Sequence, residues 1–274
     1  MENKNVILLR HHPMNVHFTN PFYVSQVEGD IADYIVIDVT SRATRDKAFM
    51  KEHPSFAEDL SPFFIGPVVS SDGVKAYIFE IFWQCGKVYP CHDDNGKPNE
   101  AFFEWRNSFY GKQTCTKDLM RHACHDLGYE NKDARYFAYF NKEKGKYEAL
   151  GYVAARKKVY VPEYAKLIAN TPSFLWLKSL VGQGKKIALV DFDGYNYGYP
   201  KAMELQHQAY LNKCKKQGTS PKQSLSDFLA IKNMKDVLSC PFLPAGHGFV
   251  IKALLQGDLE VSGDCVKDLS GVLS

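Results

Sequence analysis

The segment Lys185–Asp193 constrains the fold more than any other stretch of the chain. Its apolar run Ile187–Val190 leads directly to Asp191, Asp193 and a glycine. A short apolar run bounded by polar and turn-forming residues is typical of a buried strand. Carboxylates at the end of such a strand are well placed to face a pocket. Together with the helical patterns around it, this strand predicts an α/β fold, with α+β as the alternative.

The rest of the chain predicts a single domain over residues 1–274, with a small central sheet surrounded by helices. No internal repeat, low-complexity tract or linker is visible, and a hydrophobic fraction of 45% is ample for one core. Val6–Leu9 predicts a buried strand, Tyr34–Thr40 an interior strand and Val68–Tyr77 a hairpin. The polar segment Arg42–Glu58 predicts a loop or a short helix.

Several classes of protein are disfavoured. No apolar run approaches the roughly 18–20 residues that span a bilayer, so no membrane association is expected. The four apolar residues Val6–Leu9 are too few for the core of a signal peptide. The net charge of +3, from 34 basic and 31 acidic residues, does not by itself predict nucleic-acid binding.

The seven cysteines are scattered and include no C-x-x-C pair, which argues against a disulfide framework and predicts reduced thiols in a cytoplasmic protein. Cys91-His92 and the cluster of His122, Cys124 and His125 contain residues of the types that bind metals. Their spacing repeats no known site, so neither a metal nor another cofactor is predicted.

The segment from Ile78 to Lys87 is the most informative for function. From Ile78 the apolar period changes from two to about 3.6, and one stripe contains Ile78, Ile81, Phe82 and Cys85. On the predicted helix Ile78–Lys87, the residues Glu80, Gln84 and Lys87 share the other face. This much apolar surface predicts an enclosed helix whose polar groups need partners, of which a ligand is one. The alternative is an ordinary amphipathic helix with a solvated polar strip.

The sequence of Glu80–Lys87, EIFWQCGK, resembles the glutamate, two-aromatic, glutamine, lysine helix of the NADAR superfamily. These are small α/β proteins linked to NAD and ADP-ribose chemistry, and they include N-glycosidases. The family's aromatic loop and short hairpin would correspond to Ser61–Phe64 and Val68–Ala76. Leu189–Gly194 would be its late strand with an acidic end, and Gly246–Leu255 resembles its glycine turn and closing helix.

The resemblance covers roughly residues 60–257, and the chain departs from the family pattern in two places. Ile81 stands where the family usually has a histidine after the glutamate. Residues 201–242 look like a helical insertion within the domain.

The resemblance implies an N-glycosidase that hydrolyses the base–ribose bond of a nucleotide, an NAD-derived compound or an ADP-ribosylated substrate. Glu80 would stabilise the positive charge that develops on the ribose in the transition state. Asp191 or Asp193 would activate the attacking water. The alternative for both aspartates is that they cap the turn that follows the strand.

Substrate binding would use aromatic and basic side chains. Phe63 and Trp83 would stack on the base, with Gln84 beside them, and Lys87 would meet a phosphate or a ribose hydroxyl. Trp83 has the alternative of a core position. Further candidates, each with the alternative of an exposed basic turn or a plain turn, are Arg156 and His247.

Two other functions fit the same residues. The chain would be a non-catalytic module that binds a nucleotide or ADP-ribose, with residues 201–242 as a partner surface. Alternatively, it would modify nucleic acid, which would bind through the lysine-rich helix. The lysines concerned, which otherwise form a solvated helix face, are Lys213, Lys215 and Lys216.

Overall fold

The computed structural model describes residues 5–10, 32–40, 56 and 58–274, so all but Phe56 and Glu58 of the segment Arg42–Glu58 lies outside the described residues. The chain begins with the strands β1 (Val6–Arg10) and β2 (Tyr34–Asp38). It continues with β3 (Val68–Val69), β4 (Lys75–Ala76), α1 (Phe79–Cys85), β5 (Lys87–Val88), α2 (Glu100–Tyr110), α3 (Lys117–Arg121), β6 (Tyr136–Asn141), β7 (Lys146–Leu150), α4 (Tyr152–Ala155) and α5 (Val161–Ile168). The last elements are α6 (Pro172–Gly182), β8 (Lys186–Asp191), α7 (Pro200–Gln217), α8 (Leu225–Leu229), α9 (Met234–Ser239), α10 (His247–Gln256), β9 (Leu259–Ser262) and β10 (Cys265–Asp268).

The chain divides into two compact units. The split unit combines Met1–Ala57 with Pro172–Ser274, and the continuous unit is Glu58–Thr171. The mixture of helices and small sheets agrees with the predicted class of α/β or α+β. The helical character of residues 201–242 is confirmed, whereas the single domain and the insertion stay predictions. No helix among the described residues is long and apolar enough to cross a membrane.

The split unit is built around a parallel sheet of three strands in the order β1-β8-β2. As predicted, β8 is a buried strand, and it lies at the centre of this sheet. One face of the sheet is a cluster of buried side chains from β1 and β8, and α10 packs on the same two strands. The strand within Tyr34–Thr40 is at the edge of the described sheet, with only Ile37 of β2 buried. Within the described residues the expected interior strand is therefore an edge strand, since β-branched residues favour any strand, central or edge.

The continuous unit contains an antiparallel sheet, β5-β6-β7, and the predicted hairpin of β3 and β4. Val88, Phe102 and Ala138 form a core between this sheet and α2. The described strands therefore fall into several small sheets, and the expectation of one central sheet is corrected. The β3–β4 hairpin has only two residues in each strand, and it forms a separate two-stranded sheet.

Candidate functional site

The helix α1 is the centre of the candidate site, and it is almost completely enclosed. All of its residues except Gln84 are buried, as the apolar pattern predicted. Its first amide groups are bound to the preceding aromatic loop, since Phe79 N donates to Ile65 O (2.9 Å) and Glu80 N to Pro62 O (2.8 Å). The loop therefore holds the helix start, and with it the backbone of Glu80, in a fixed place.

The helix ends two residues earlier than its apolar period indicated. Gly86 is the C-terminal cap, and a Cβ at this position would approach the Phe137 ring to 2.3 Å. Lys87 is the first residue of β5, which pairs with Phe137 of β6. The assignment of Lys87 to the helix was wrong because the close approach of β6 draws the chain out of the helix at the glycine.

The three polar side chains nevertheless form one hydrogen-bonded chain. Gln84 Nε2 donates to Glu80 Oε1 at 2.9 Å, and Lys87 Nζ donates to Gln84 Oε1. The Glu80 side chain is buried, with the residue only 8% exposed. The amide of Gln84 thus has both ends bound, which fixes its orientation and holds one oxygen of the carboxylate.

Asn131 extends this chain away from Glu80. Its Oδ1 accepts from Lys87 Nζ at 3.5 Å and lies 3.8 Å from the Cys124 Sγ donor. Its Nδ2 donates to the carbonyl of Arg121 at 2.9 Å. The sequence analysis missed Asn131 because it is 44 positions from Lys87, and no periodic pattern links the two.

Burial dominates the electrostatics of this group. It lowers the pKa of the Lys87 ammonium, and the negative charge of Glu80 opposes that shift. Burial also raises the pKa of the Cys85 thiol well above its usual range, which keeps this sulfur protonated and unreactive. The site therefore contains a carboxylate and an ammonium that are bridged by an amide and largely removed from water.

The aromatic candidates differ in how much of their surface is accessible. Trp83 is buried, and its ring stacks on Phe137 with 5.2 Å between centroids and contacts Tyr160 at 5.0 Å. Phe63 is also buried, whereas its neighbour Phe64 is 52% exposed. Trp83 is thus a core residue, the alternative considered from the sequence, and Phe64 is the exposed ring that the sequence analysis did not select.

Basic side chains lie over these loop rings. Lys117 Nζ is 5.0 Å from the centroid of Phe64, and the Arg121 guanidinium is 5.0 Å from that of Phe63. Both cations belong to α3, and both are within the range of cation–π attraction. The aromatic loop therefore carries positive charge along one side.

Arg156 does not belong to an exposed basic turn. It is 1% exposed and begins a π-helical turn, Arg156–Tyr160, which joins α4 to α5. Its guanidinium lies 4.4 Å from the centroid of the Tyr152 ring. The helical turn directs the Arg156 side chain to the interior, where it is buried. Lys158 is the exposed residue of the run Arg156–Lys158.

The predicted residues of the split unit form a separate group around Asp191. Its Oδ1 accepts from Phe192 N at 2.7 Å, and its Oδ2 accepts from Gly248 N at 3.1 Å. His247 contacts this carboxylate through Nδ1 at 3.5 Å and donates from Nε2 to the Val39 carbonyl at 2.8 Å. Asp191 therefore binds its own turn and the first turn of α10, as the capping alternative describes.

Asp193 is exposed, in contrast to the buried Asp191. Both belong to the split unit, and Glu80 belongs to the continuous unit. The predicted pairing of Glu80 with one of these aspartates stays a prediction.

The lysine-rich helix is α7, and its three candidate lysines are exposed on both sides of the buried Cys214. This agrees with a solvated helix face. None of the seven cysteines, all in the described part of the chain, forms a disulfide. The described residues include no group of three or more His, Cys, Asp or Glu side chains that could hold a metal ion.

Comparisons with protein-family models, with curated proteins and with solved structures find no match to this chain. The resemblance to the NADAR superfamily therefore depends on the residues of the glutamate helix and its flanking segments.

Proposed function

We propose that the continuous unit is a NADAR-like N-glycosidase that cleaves the base–ribose bond of a nucleotide, an NAD-derived compound or an ADP-ribosylated base. The observation that supports this proposal is the buried Glu80 carboxylate, oriented by Gln84 and backed by Lys87. A charged group that is fixed in a water-poor site stabilises developing charge without reorganising, which is the largest contribution in many enzymes.

The chemistry requires one negative charge beside the ribose. As the C1′–N bond breaks, its electron pair leaves with the base, and positive charge spreads over C1′ and the ring oxygen. Glu80 stabilises this charge while a water oxygen bonds to C1′ and the water proton passes to the departing base.

The roles of the neighbouring residues follow from their contacts. Lys87 is a positioning residue because it acts on Glu80 through the bound amide of Gln84. Phe64 is better placed than the buried Trp83 to stack on a base, since about half of its surface is accessible. Lys117, over the same ring, would meet a phosphate of the substrate.

The decisive experiment measures base release from a panel of nucleosides, mononucleotides, NAD and ADP-ribosylated bases. Glu80→Gln retains the size of the side chain and removes its charge, so turnover should fall by about 100-fold or more. Glu100→Gln is the matched control, because Glu100 is also in the first turn of a helix but is exposed. Equal turnover by the wild type and Glu80→Gln would contradict the mechanism.

The second candidate is a non-catalytic module for nucleotides or ADP-ribose. The exposed Phe64 ring with the Lys117 ammonium 5.0 Å above its centroid favours this reading, since such a pair binds a base and a phosphate without any chemistry. Calorimetry would then show saturable binding of ADP-ribose, no released base, and weaker binding by Phe64→Ala. Release of base by the wild type would exclude this candidate.

A further inference from the structure

The aromatic loop and the β3–β4 hairpin of the continuous unit expose three large apolar side chains within a short stretch of sequence. Phe64 is 52%, Val69 59% and Tyr77 37% exposed. Single exposed apolar residues are normal on a protein surface, whereas a contiguous group of them marks a binding surface. The contacts between the loop and the hairpin show that the second case applies here.

The loop and the hairpin touch at Gly66 and Tyr77. A Cβ on Gly66 would lie 2.1 Å from the carbonyl oxygen of Tyr77, so the two backbones are in direct contact. Beside this contact, Ile65 O accepts from Phe79 N at 2.9 Å. Two residues of chain span at most about 7 Å, so Phe64 is close to Gly66 and to the hairpin. The exposed loop ring and the hairpin therefore belong to one surface.

The exposed side chains of the hairpin share one of its faces. Val69 pairs with Lys75 in the antiparallel register, and Tyr77 is the next residue along on the same face. All three are exposed, whereas Val68 and Ala76, on the opposite face, are buried. We call this surface the aromatic–basic face, and its residues are Phe64, Val69, Lys75 and Tyr77.

Both rings of the aromatic–basic face carry a cation. Lys75 Nζ is 4.7 Å from the centroid of Tyr77, and Lys117 Nζ is 5.0 Å from that of Phe64. Both distances are within the range of cation–π attraction. The cations do not enclose the rings, since both residues stay exposed. Each ring thus presents an accessible aromatic surface next to a positive charge.

Further positive charge borders this face. Arg121 and Lys75 contact rings of the loop and of the hairpin. Lys112 follows α2, whose last residue, Tyr110, accepts from Tyr77 N at 3.2 Å. Within the described part of the chain, none of these three basic side chains forms an ion pair. Their charge is therefore available to a partner.

The acids of the same elements do not cancel that charge. Asp72, in the hairpin turn, is 2.7 Å from Arg106 Nη2 and accepts from Tyr147 OH, so its charge is already balanced. Asp118 is the other acid of the loop, the hairpin and α3. The excess of unpaired cations over this one carboxylate favours an anionic partner.

A single strand of nucleic acid matches both the rings and the cations. Each of its nucleotides supplies a flat base and a phosphate, and proteins bind such strands with aromatic side chains and positive charge. A base stacked on Phe64 would have its phosphate beside Lys117. A base stacked on Tyr77 would have its phosphate beside Lys75. In a duplex, by contrast, the bases stack on one another and their faces are not accessible.

We propose that the aromatic–basic face binds single-stranded nucleic acid, with bases stacked on Phe64 and Tyr77 and phosphates at Lys117 and Lys75. This goes beyond a module for one nucleotide, because the second ring and its lysine take a second nucleotide of the same strand. It does not depend on the N-glycosidase proposal, since Glu80 takes no part in it. Single-stranded DNA and RNA both have the required groups.

The test measures the fluorescence anisotropy of labelled single strands of about eight nucleotides, one of DNA and one of RNA, with the full chain. Either strand should bind about tenfold or more tightly than a duplex of the same length and than a mononucleotide. The tighter of the two strands identifies the natural ligand. Equal affinity for strand and mononucleotide, tighter binding of the duplex, or binding only to vesicles of phosphatidylserine and phosphatidylcholine in equal parts overturns the proposal.

Variants of the two rings test the stacking. Phe64→Ala and Tyr77→Ala should each weaken binding of the single strand by about tenfold, whereas Phe64→Tyr and Tyr77→Phe keep the ring and should retain the affinity. Tyr152→Ala is the matched control, because Tyr152 is a half-exposed ring of the same unit with Arg156 4.4 Å from its centroid. Unchanged affinity in both loop and hairpin alanine variants, or an equal loss in Tyr152→Ala, contradicts the proposal.

Lys75→Gln tests the phosphate contact separately. The logarithm of the affinity for a single strand falls with the logarithm of the salt concentration by about 0.7 per phosphate contact, so the slope should be less steep by about 0.7 in this variant. Lys142→Gln, at an exposed lysine in the turn between β6 and β7, should retain the wild-type slope. An unchanged slope in Lys75→Gln would overturn the assigned contact. Because binding and base release are measured separately, this proposal and the N-glycosidase proposal can fail independently.

Discussion

At the scale of single residues, burial decides how His92 titrates. This histidine is 3% exposed and packs against Trp105, with 5.2 Å between the ring centroids. Burial lowers the pKa of its imidazole, since the charged form loses its hydration. In the unfolded chain the same group titrates near its ordinary value of about 6.5.

The lowered pKa of His92 predicts a loss of stability in acid. Between the folded pKa and about 6.5 the unfolded state binds more protons, so the free energy of unfolding falls as the pH falls through this window. His92→Phe keeps an aromatic ring but removes the titrating group. The free energy of unfolding of this variant should therefore fall less steeply with falling pH than that of the wild type, and the two slopes should differ by up to about 1.4 kcal/mol per pH unit.

Urea unfolding from pH 7.5 to 5.5 measures both slopes. Parallel profiles for the wild type and His92→Phe would show that His92 titrates alike in the folded and unfolded chain.

The enclosure of Glu80 was predictable, but the contacts that hold Lys87 were not. Apolar residues at a helical period around Glu80 and Gln84 indicate directly that the helix is buried. Asn131 reaches Lys87 only because the loops before β6 fold back on α1, and a local pattern contains no information on such a long-range contact. The neighbours Phe63 and Phe64 show the same limit, since their sequence does not reveal which ring faces the solvent.

At the scale of elements, close approaches between helix and strand decide where glycine is required. A Cβ at Gly248, in the first turn of α10, would lie 2.8 Å from Asp191 Oδ2 and 3.0 Å from Leu8 Cδ1. Gly248 also donates the backbone N–H that Asp191 accepts. The missing side chain therefore allows α10 to approach the sheet and the carboxylate to cap the helix.

Gly248→Ala should destabilise the protein by about 1–3 kcal/mol, because the added methyl group has to displace the buried carboxylate or Leu8. Gly182→Ala is the matched control at the end of α6, where a Cβ meets no atom within 4 Å. It should leave stability unchanged or raise it by up to about 1 kcal/mol. Urea unfolding of the two variants compares them directly, and equal stability would refute the packing argument.

The presence of most helices and strands was predictable from the sequence, whereas the residues at which they end and the elements that they contact were harder to predict. The Lys186–Asp191 strand and the α2 helix follow from composition and period, with Asn99 as the N-terminal cap. The end of α1 depends on the Phe137 ring that packs against Gly86, and the edge position of β2 depends on its pairing with β8. Both are tertiary contacts, which override local propensity.

At the scale of the whole molecule, the division into units is not marked by a linker of small residues. The boundaries fall after Ala57 and after Thr171, and neither place is a glycine- or serine-rich linker. A single domain was for that reason the natural prediction. The pairing of β1 with β8, whose partners are 181 positions apart (Val6 with Ile187), makes one unit discontinuous, and only the folded chain reveals it.

This division predicts that the two sides of Thr171 behave differently when separated. The fragment Glu58–Thr171 keeps its antiparallel sheet and the core around Val88, so it should unfold cooperatively, with a urea m-value of about 1–2 kcal/mol/M. The fragment Pro172–Ser274 retains β8 but loses β1 and β2, which pair with it on both sides, and it should show no cooperative transition. Circular dichroism during urea titration measures both fragments. Loss of the transition in Glu58–Thr171, or its presence in Pro172–Ser274, would mean that the strand pairing within each unit does not determine its stability.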